Sequence, residues 1–315
     1  MSTIKRIAIC FSPRLRGAGG VAHRTGWIGL KLLNHHPHLA SPASRGEKER
    51  NSAHRLIALL FIFLAPSAYA APSVYIEDLT WMEIRDRIEA GSRIAIVPTG
   101  GTDQNGPHMV TGKHNIIVRY TAGDIARKLG DALVTPVIAY VPAGRIDPPE
   151  GHMQFPGTLS VSDRTFASLL EDTARSLKQH GFQLICFIGD QGGSQDIQEQ
   201  VAGRLTEEWH NSGVRVLQVS DYYYRNGQEQ WGESIGLKTP HPGAHAGLAD
   251  TSELMALDPL GVRGGLRGAH SEHDYKTTGA MGDSSLASAT LGRRFLSLKI
   301  NAAVRQIRNA EKAAP

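Results

Sequence analysis

The chain has 315 residues, room for one large domain or two, with 34 Lys and Arg against 30 Asp and Glu and a formal net charge of +4. The basic excess belongs to residues 1–71, which hold 10 of the basic and only 2 of the acidic residues, so the remainder, 24 against 28, is net acidic at −4. A nucleic-acid partner, which a basic balance would invite, is therefore excluded.

From Arg55 the sequence runs "RLIALLFIFLAPSAYAAPS": a basic residue, an apolar core, then Ala-Tyr-Ala. This is the layout of a secretory signal peptide over 55–71, with cleavage expected after Ala71. Its bland alternative is a buried hydrophobic helix over 56–65. The apolar core is shorter than the roughly 20 residues a membrane span needs, and no later stretch is long enough. The expected mature protein is periplasmic or secreted and free of the membrane once the signal is removed. Residues 1–54, rich in Arg, His, Ser and Gly without periodicity, read as disordered or as translation begun upstream of the true start. With Cys10 in that segment, Cys186 is left alone in "LICFI", so no intramolecular disulfide is expected.

Over 72–315, helical and extended patterns alternate. "LTWMEIRDRIEAG" (79–91) places Trp81, Ile84 and Ile88 at helical spacing after a Thr80 cap. "RIAIVPTGG" (93–101) is a short apolar run bounded by Pro and Gly, and predicts a buried strand. An amphipathic helix over 116–130 ends at Gly130, followed by a strand in "ALVTPVIAYVP" (132–142). A helix over 160–182, a strand in "QLICFIGD" (183–190), a helix over 194–213, a strand in "VRVLQVSDYY" (214–223) and a closing helix over 285–312 complete the series. Strands separated by helices of this length predict a single α/β domain, a three-layer α/β/α sandwich with a mainly parallel sheet.

In such sheets ligands bind beyond the carboxyl ends of the strands. Three stretches qualify. "GGTDQNGPHMVTGKHN" (100–115) follows the first strand and holds Asp103, Asn105, His108 and His114, either as a ligand loop or as a polar turn. "GDQGGSQ" (189–195) offers a weak anion cradle without either phosphate-binding glycine signature. "HPGAHAGLADTSEL" (241–254) holds His245 and Asp250 but also reads as a helix cap.

Together, "DQNGPH" with "GKH", "GDQGGS" and "HAGLADTS", followed by "GAMGDSSLASATLGRRFL", resemble the creatininase (creatinine amidohydrolase) family over about residues 75–308. The resemblance implies an α/β/α fold, a homo-oligomer, and metal-dependent hydrolysis of a C–N bond in a small, possibly cyclic amide, with metal-activated water as nucleophile. It implies one or two divalent ions, Zn or Mn and possibly Fe. Asp103, His114, Gln191 and Asp250 fall at the positions expected near the metals. His245 matches the motif histidine, a catalytic proton shuttle or oxyanion partner, and His108, Asp190 and His152 would line the substrate side. His270 and His273 are candidates for the pocket rim. This chain departs from the pattern throughout: Asp103 stands for Glu, Asn105 for His, His114 for Asp, Gln191 for His and Asp250 for Glu. The alternative is a protein that keeps the fold, has lost the metal site, and binds a small ligand or serves a structural role.

Overall fold

The computed structural model describes residues 73–237 and 244–312, and the expected signal segment 55–71 and everything before it lie outside the described residues. Helix α1, Trp81–Glu89, begins with a reciprocal cap in which Glu83 N donates to Thr80 Oγ1 at 3.3 Å and Thr80 N to Glu83 Oε2 at 2.7 Å. Ile84 and Ile88 turn inward, whereas Trp81 is 71% exposed and carries the Arg85 guanidinium over its ring. The apolar stripe of α1 is thus carried by Ile84 and Ile88 alone, and the expected third member, Trp81, faces solvent.

Strand β1, Ile94–Thr99, is buried along its whole length. Its alternation sends Ile94 and Ile96 into one core and Ala95 and Val97 into another, as a strand covered on both faces requires. Helix α2, Lys113–Leu129, starts three residues before its expected position, which brings Lys113 and His114 into its first turn. Strand β2, Ala132–Val134, stops well short of residue 142. Pro136 has no N–H to donate, and the chain continues through single bridges from Ile138 to Thr99 and from Val141 to Ser160. Helix α3, Asp163–Gln179, strand β3, Leu184–Gly189, and helix α4, Gln195–Glu208, follow the expected order. Strand β4 covers only Arg215–Gln218; Ser220–Tyr223 is a helical turn, not the strand's continuation, and it drives the Tyr222 side chain into the interior. Helices α5, Leu248–Leu257, and α6, Ala289–Lys312, complete the framework.

The sheet order is β2-β1-β3-β4 and every pairing is parallel. Helices α2 and α6 cover one face, and α1, α3 and α4 the other, giving the three layers. Among the described residues no helix is long and apolar enough to cross a membrane.

Helix α6 crosses α5 so closely that a methyl group at Gly292 would overlap the Ser252 carbonyl. Gly292→Ala is expected to force the two helices apart and lower stability by about 1–3 kcal/mol. Urea unfolding checks this: the midpoint should fall at constant m, and an unchanged midpoint would mean the crossing has slack.

Candidate active site

The carboxyl ends of β1 and β3 and the start of α5 converge on a cavity of about 950 Å³. His114, Asp190, Gln191, His245 and Asp250 line it, with His152, His270 and Tyr275. Asp103 lies fully buried beneath its floor, and His108 is buried against α5, where Nε2 sits 2.8 Å from Thr251 Oγ1. Burial pushes the His108 imidazole down to about 4, so it packs as a neutral core histidine rather than a wall of the cavity. His273 is exposed to solvent.

The center of the floor is His114. Its Nδ1 lies 2.9 Å from Asp190 Oδ2, and its Nε2 lies 3.8 Å from Asp103 Oδ1. Asp190 also receives Tyr222 OH at 2.8 Å and Lys299 Nζ at 2.8 Å on its other oxygen. Burial alone would raise the Asp190 carboxyl, but Lys299 and His114 outweigh it and hold the group well below the usual carboxylate range. An ionised Asp190 accepts from Nδ1–H, which fixes the ring so that Nε2 faces Asp103.

A second charged pair stands beside the first. The fully buried Lys113 places Nζ 2.8 Å from Asp250 Oδ2, a close ion pair without an aligned hydrogen bond. Asp250 Oδ2 also accepts from Ala246 N at 3.1 Å, and Ala246 is a non-glycine residue with φ of 60°. Burial raises the Asp250 carboxyl, but Lys113, followed by His114 and His245, outweighs it and brings the value down to about 2. Lys299 extends the polar floor to Glu253 at 3.0 Å, whose carboxyl is raised by burial despite that contact.

Sequence reasoning missed Lys113, Glu253, Lys299, Tyr222 and Gln104. For Lys299 a signal existed: it falls on the same helical stripe as Leu296, Ile300 and Ala303, the buried face of α6. Gln104 joins the histidines of the upper wall. Its Nε2 lies 2.8 Å from His152 Nδ1 and 3.1 Å from His245 Nε2. Burial, and then Lys113, push the His245 imidazole down to about 3, and burial lowers His152 as well.

The metal-ligand set implied by the resemblance is not gathered at one point. Asp103 and His114 face each other, but Asp250 is neutralised by the ammonium of Lys113. Gln191 turns its amide nitrogen toward Asp103 Oδ2 at 3.4 Å and so offers hydrogens, not a lone pair. Asn105 Nδ2 is folded back on Asp103 O at 2.9 Å. Among the described residues no three His, Cys, Asp or Glu side chains form a group able to hold a metal ion. A divalent ion at this floor would have two first donors and a buried cation for a neighbour, so the residues present do not fit such a centre.

The family model described as creatinine amidohydrolase matches residues 77–307. The chain is 25% identical over 240 residues to a mycofactocin precursor peptide peptidase of Mycolicibacterium smegmatis, covering 68% of this chain and 84% of that protein. It is 30% identical over 195 residues to a creatinine amidohydrolase of Pseudomonas putida, covering 59% of this chain and 73% of the relative. Among solved structures, a manganese creatininase superposes with a TM-score of 0.63 at 23% identity, over 76% of this chain and 99% of that one. The fold, the order of the three strand-end loops and the match across most of the described residues agree: this chain belongs to the creatininase family.

Proposed function

We propose that the protein is a hydrolase of a C–N bond in a small amide or lactam, acting after export, with His114 as general base. The observation that carries this reading is the Asp190–His114 pair at the cavity floor, with Asp103 Oδ1 3.8 Å beyond Nε2. Asp190 fixes the tautomer and orientation of the ring, and a water donating to both Nε2 and Asp103 would be placed and activated there. Hydrolysis is the chemistry named for the relatives, a peptide peptidase, a creatinine amidohydrolase and a 3-dehydro-scyllo-inosose hydrolase, which supports the reaction class without selecting the substrate. The metal that the family resemblance implies is not carried over into this mechanism, because Lys113 already compensates Asp250 and Gln191 presents its amino group.

Ammonia or amine release from a panel of lactams, linear amides and short peptides, with and without chelator, tests the proposal. Turnover is expected to survive chelation and to fall at least about 100-fold in His114→Ala. Retained turnover in that variant removes His114 from the mechanism; turnover abolished by chelation restores a metal to it. A second reading is favoured by Asn105 and Gln191: binding of the same ligands without turnover. Calorimetric binding by a preparation that hydrolyses none of the panel would support that reading.

A further inference from the structure

The upper wall of the cavity carries information about proton positions. Gly106 N lies 2.9 Å from Gln104 Oε1. A backbone N–H only donates, so this contact assigns the amide oxygen of Gln104 and turns its NH₂ group toward the two histidines. Gly279, at φ of 72°, closes the other side of the amide, and a methyl group there would collide with Oε1. The amide is therefore held from both sides in one orientation.

An amide NH₂ carries two hydrogens and no available lone pair. It lies 2.8 Å from His152 Nδ1 and 3.1 Å from His245 Nε2, so both of those ring nitrogens accept. Each neutral ring then bears its proton on the other nitrogen, His152 on Nε2 and His245 on Nδ1. Neither of these nitrogens has a hydrogen-bond partner among the described residues, and both rings line the cavity with centroids 4.7 Å apart and planes tilted by 52°. Burial disfavours the charged form of both rings, which agrees with two neutral imidazoles.

We infer that His152 Nε2–H and His245 Nδ1–H form a pair of neutral donors that holds the carbonyl oxygen of an amide or lactam ligand, with Gln104 as the positioning residue. The ligand class rests on the proposed function; the donor pair does not. Two ring N–H donors side by side favour a ligand that presents oxygen to them, and the Tyr275 hydroxyl beside His152 can add a third donor to the same atom. During turnover the same donors would stabilise the negative charge developing on that oxygen, which selects for His245 the oxyanion role over the proton shuttle, the two roles that the family resemblance implies, and adds His152 to it.

Ring-¹⁵N-histidine NMR of the protein tests this directly, with His152→Gln and His245→Gln spectra giving the assignments. His245 is expected to carry its proton on Nδ1. Gln104→Glu keeps the shape but only accepts, and is expected to move that proton to Nε2. Titration with 2-pyrrolidinone is expected to shift the protonated nitrogens of both rings, and Gln104→Glu to weaken its binding about tenfold. A wild-type His245 protonated on Nε2, a tautomer indifferent to Gln104→Glu, or a titration that shifts neither ring would overturn the inference. None of these signals depends on turnover, so a protein that binds 2-pyrrolidinone through both rings but hydrolyses nothing defeats the proposed function alone.

Discussion

Lys299→Met is expected to lower folding stability by about 3–5 kcal/mol, because it strands two buried carboxylates at once. Lys299 Nζ lies 2.8 Å from Asp190 Oδ1 and 3.0 Å from Glu253 Oε2, and sits over the Tyr222 ring. Its ammonium is held well above the ordinary lysine range, since the two carboxylates outweigh the burial that would lower it. Methionine fills the space and removes the charge, so the loss is electrostatic rather than a cavity effect. The discriminating measurement is urea unfolding of Lys299→Met beside the triple variant Lys299→Met/Asp190→Asn/Glu253→Gln. The triple variant should recover much of the loss, because neutral amides do not need the cation. Equal midpoints for wild type and the single variant would show that solvent reaches these carboxylates.

Asp250→Asn is expected to cost a similar amount, about 3–5 kcal/mol, from the other direction. Lys113 is fully buried in the first turn of α2, where the helix dipole already disfavors a cation, and Asp250 compensates it. Lys113→Met/Asp250→Leu should restore stability to near wild type by removing both charges. The pair also fixes a pH dependence. The folded Asp250 carboxyl, at about 2, lies below its ordinary 3.8, so its contribution, up to about 2 kcal/mol, is fully present above pH 4. It is lost as pH falls through the folded value. Unfolding midpoints between pH 6 and pH 2 should drop more steeply for wild type than for the double variant, and parallel curves would remove this ion pair from the acid response.

How far the sequence carried differs between the sheet and the floor of the site. The runs 94–97 and 184–188 are continuous and apolar because both faces of those strands are covered, and that pattern is local. Strand ends were less legible: Pro136 cuts β2 short, and the helical turn at 220–223 follows from burying Tyr222, a tertiary demand. The three loops were found as neighbours through their motifs, and the structure does bring His114, Asp190, Gln191, His245 and Asp250 around one cavity. What escaped was the charge balance. A lysine at the start of a helix reads as solvated, and nothing near Lys113 announces a carboxylate 137 positions away. The substitutions at 103, 105, 114, 191 and 250 are individually visible, but their shared meaning depends on the ammonium that stands among them.

The tie between β3 and α6 also has a temporal side. A ribosome releases Asp190 long before Lys299, 109 residues later, so Asp190 waits without this ammonium until the end of synthesis. A nascent chain complete through α5 would carry both Asp190 and Glu253 without the ammonium they share, which comes only with the closing helix. The last helix to be synthesised is therefore the one that brings the shared ammonium to Asp190 and Glu253 and completes the pocket.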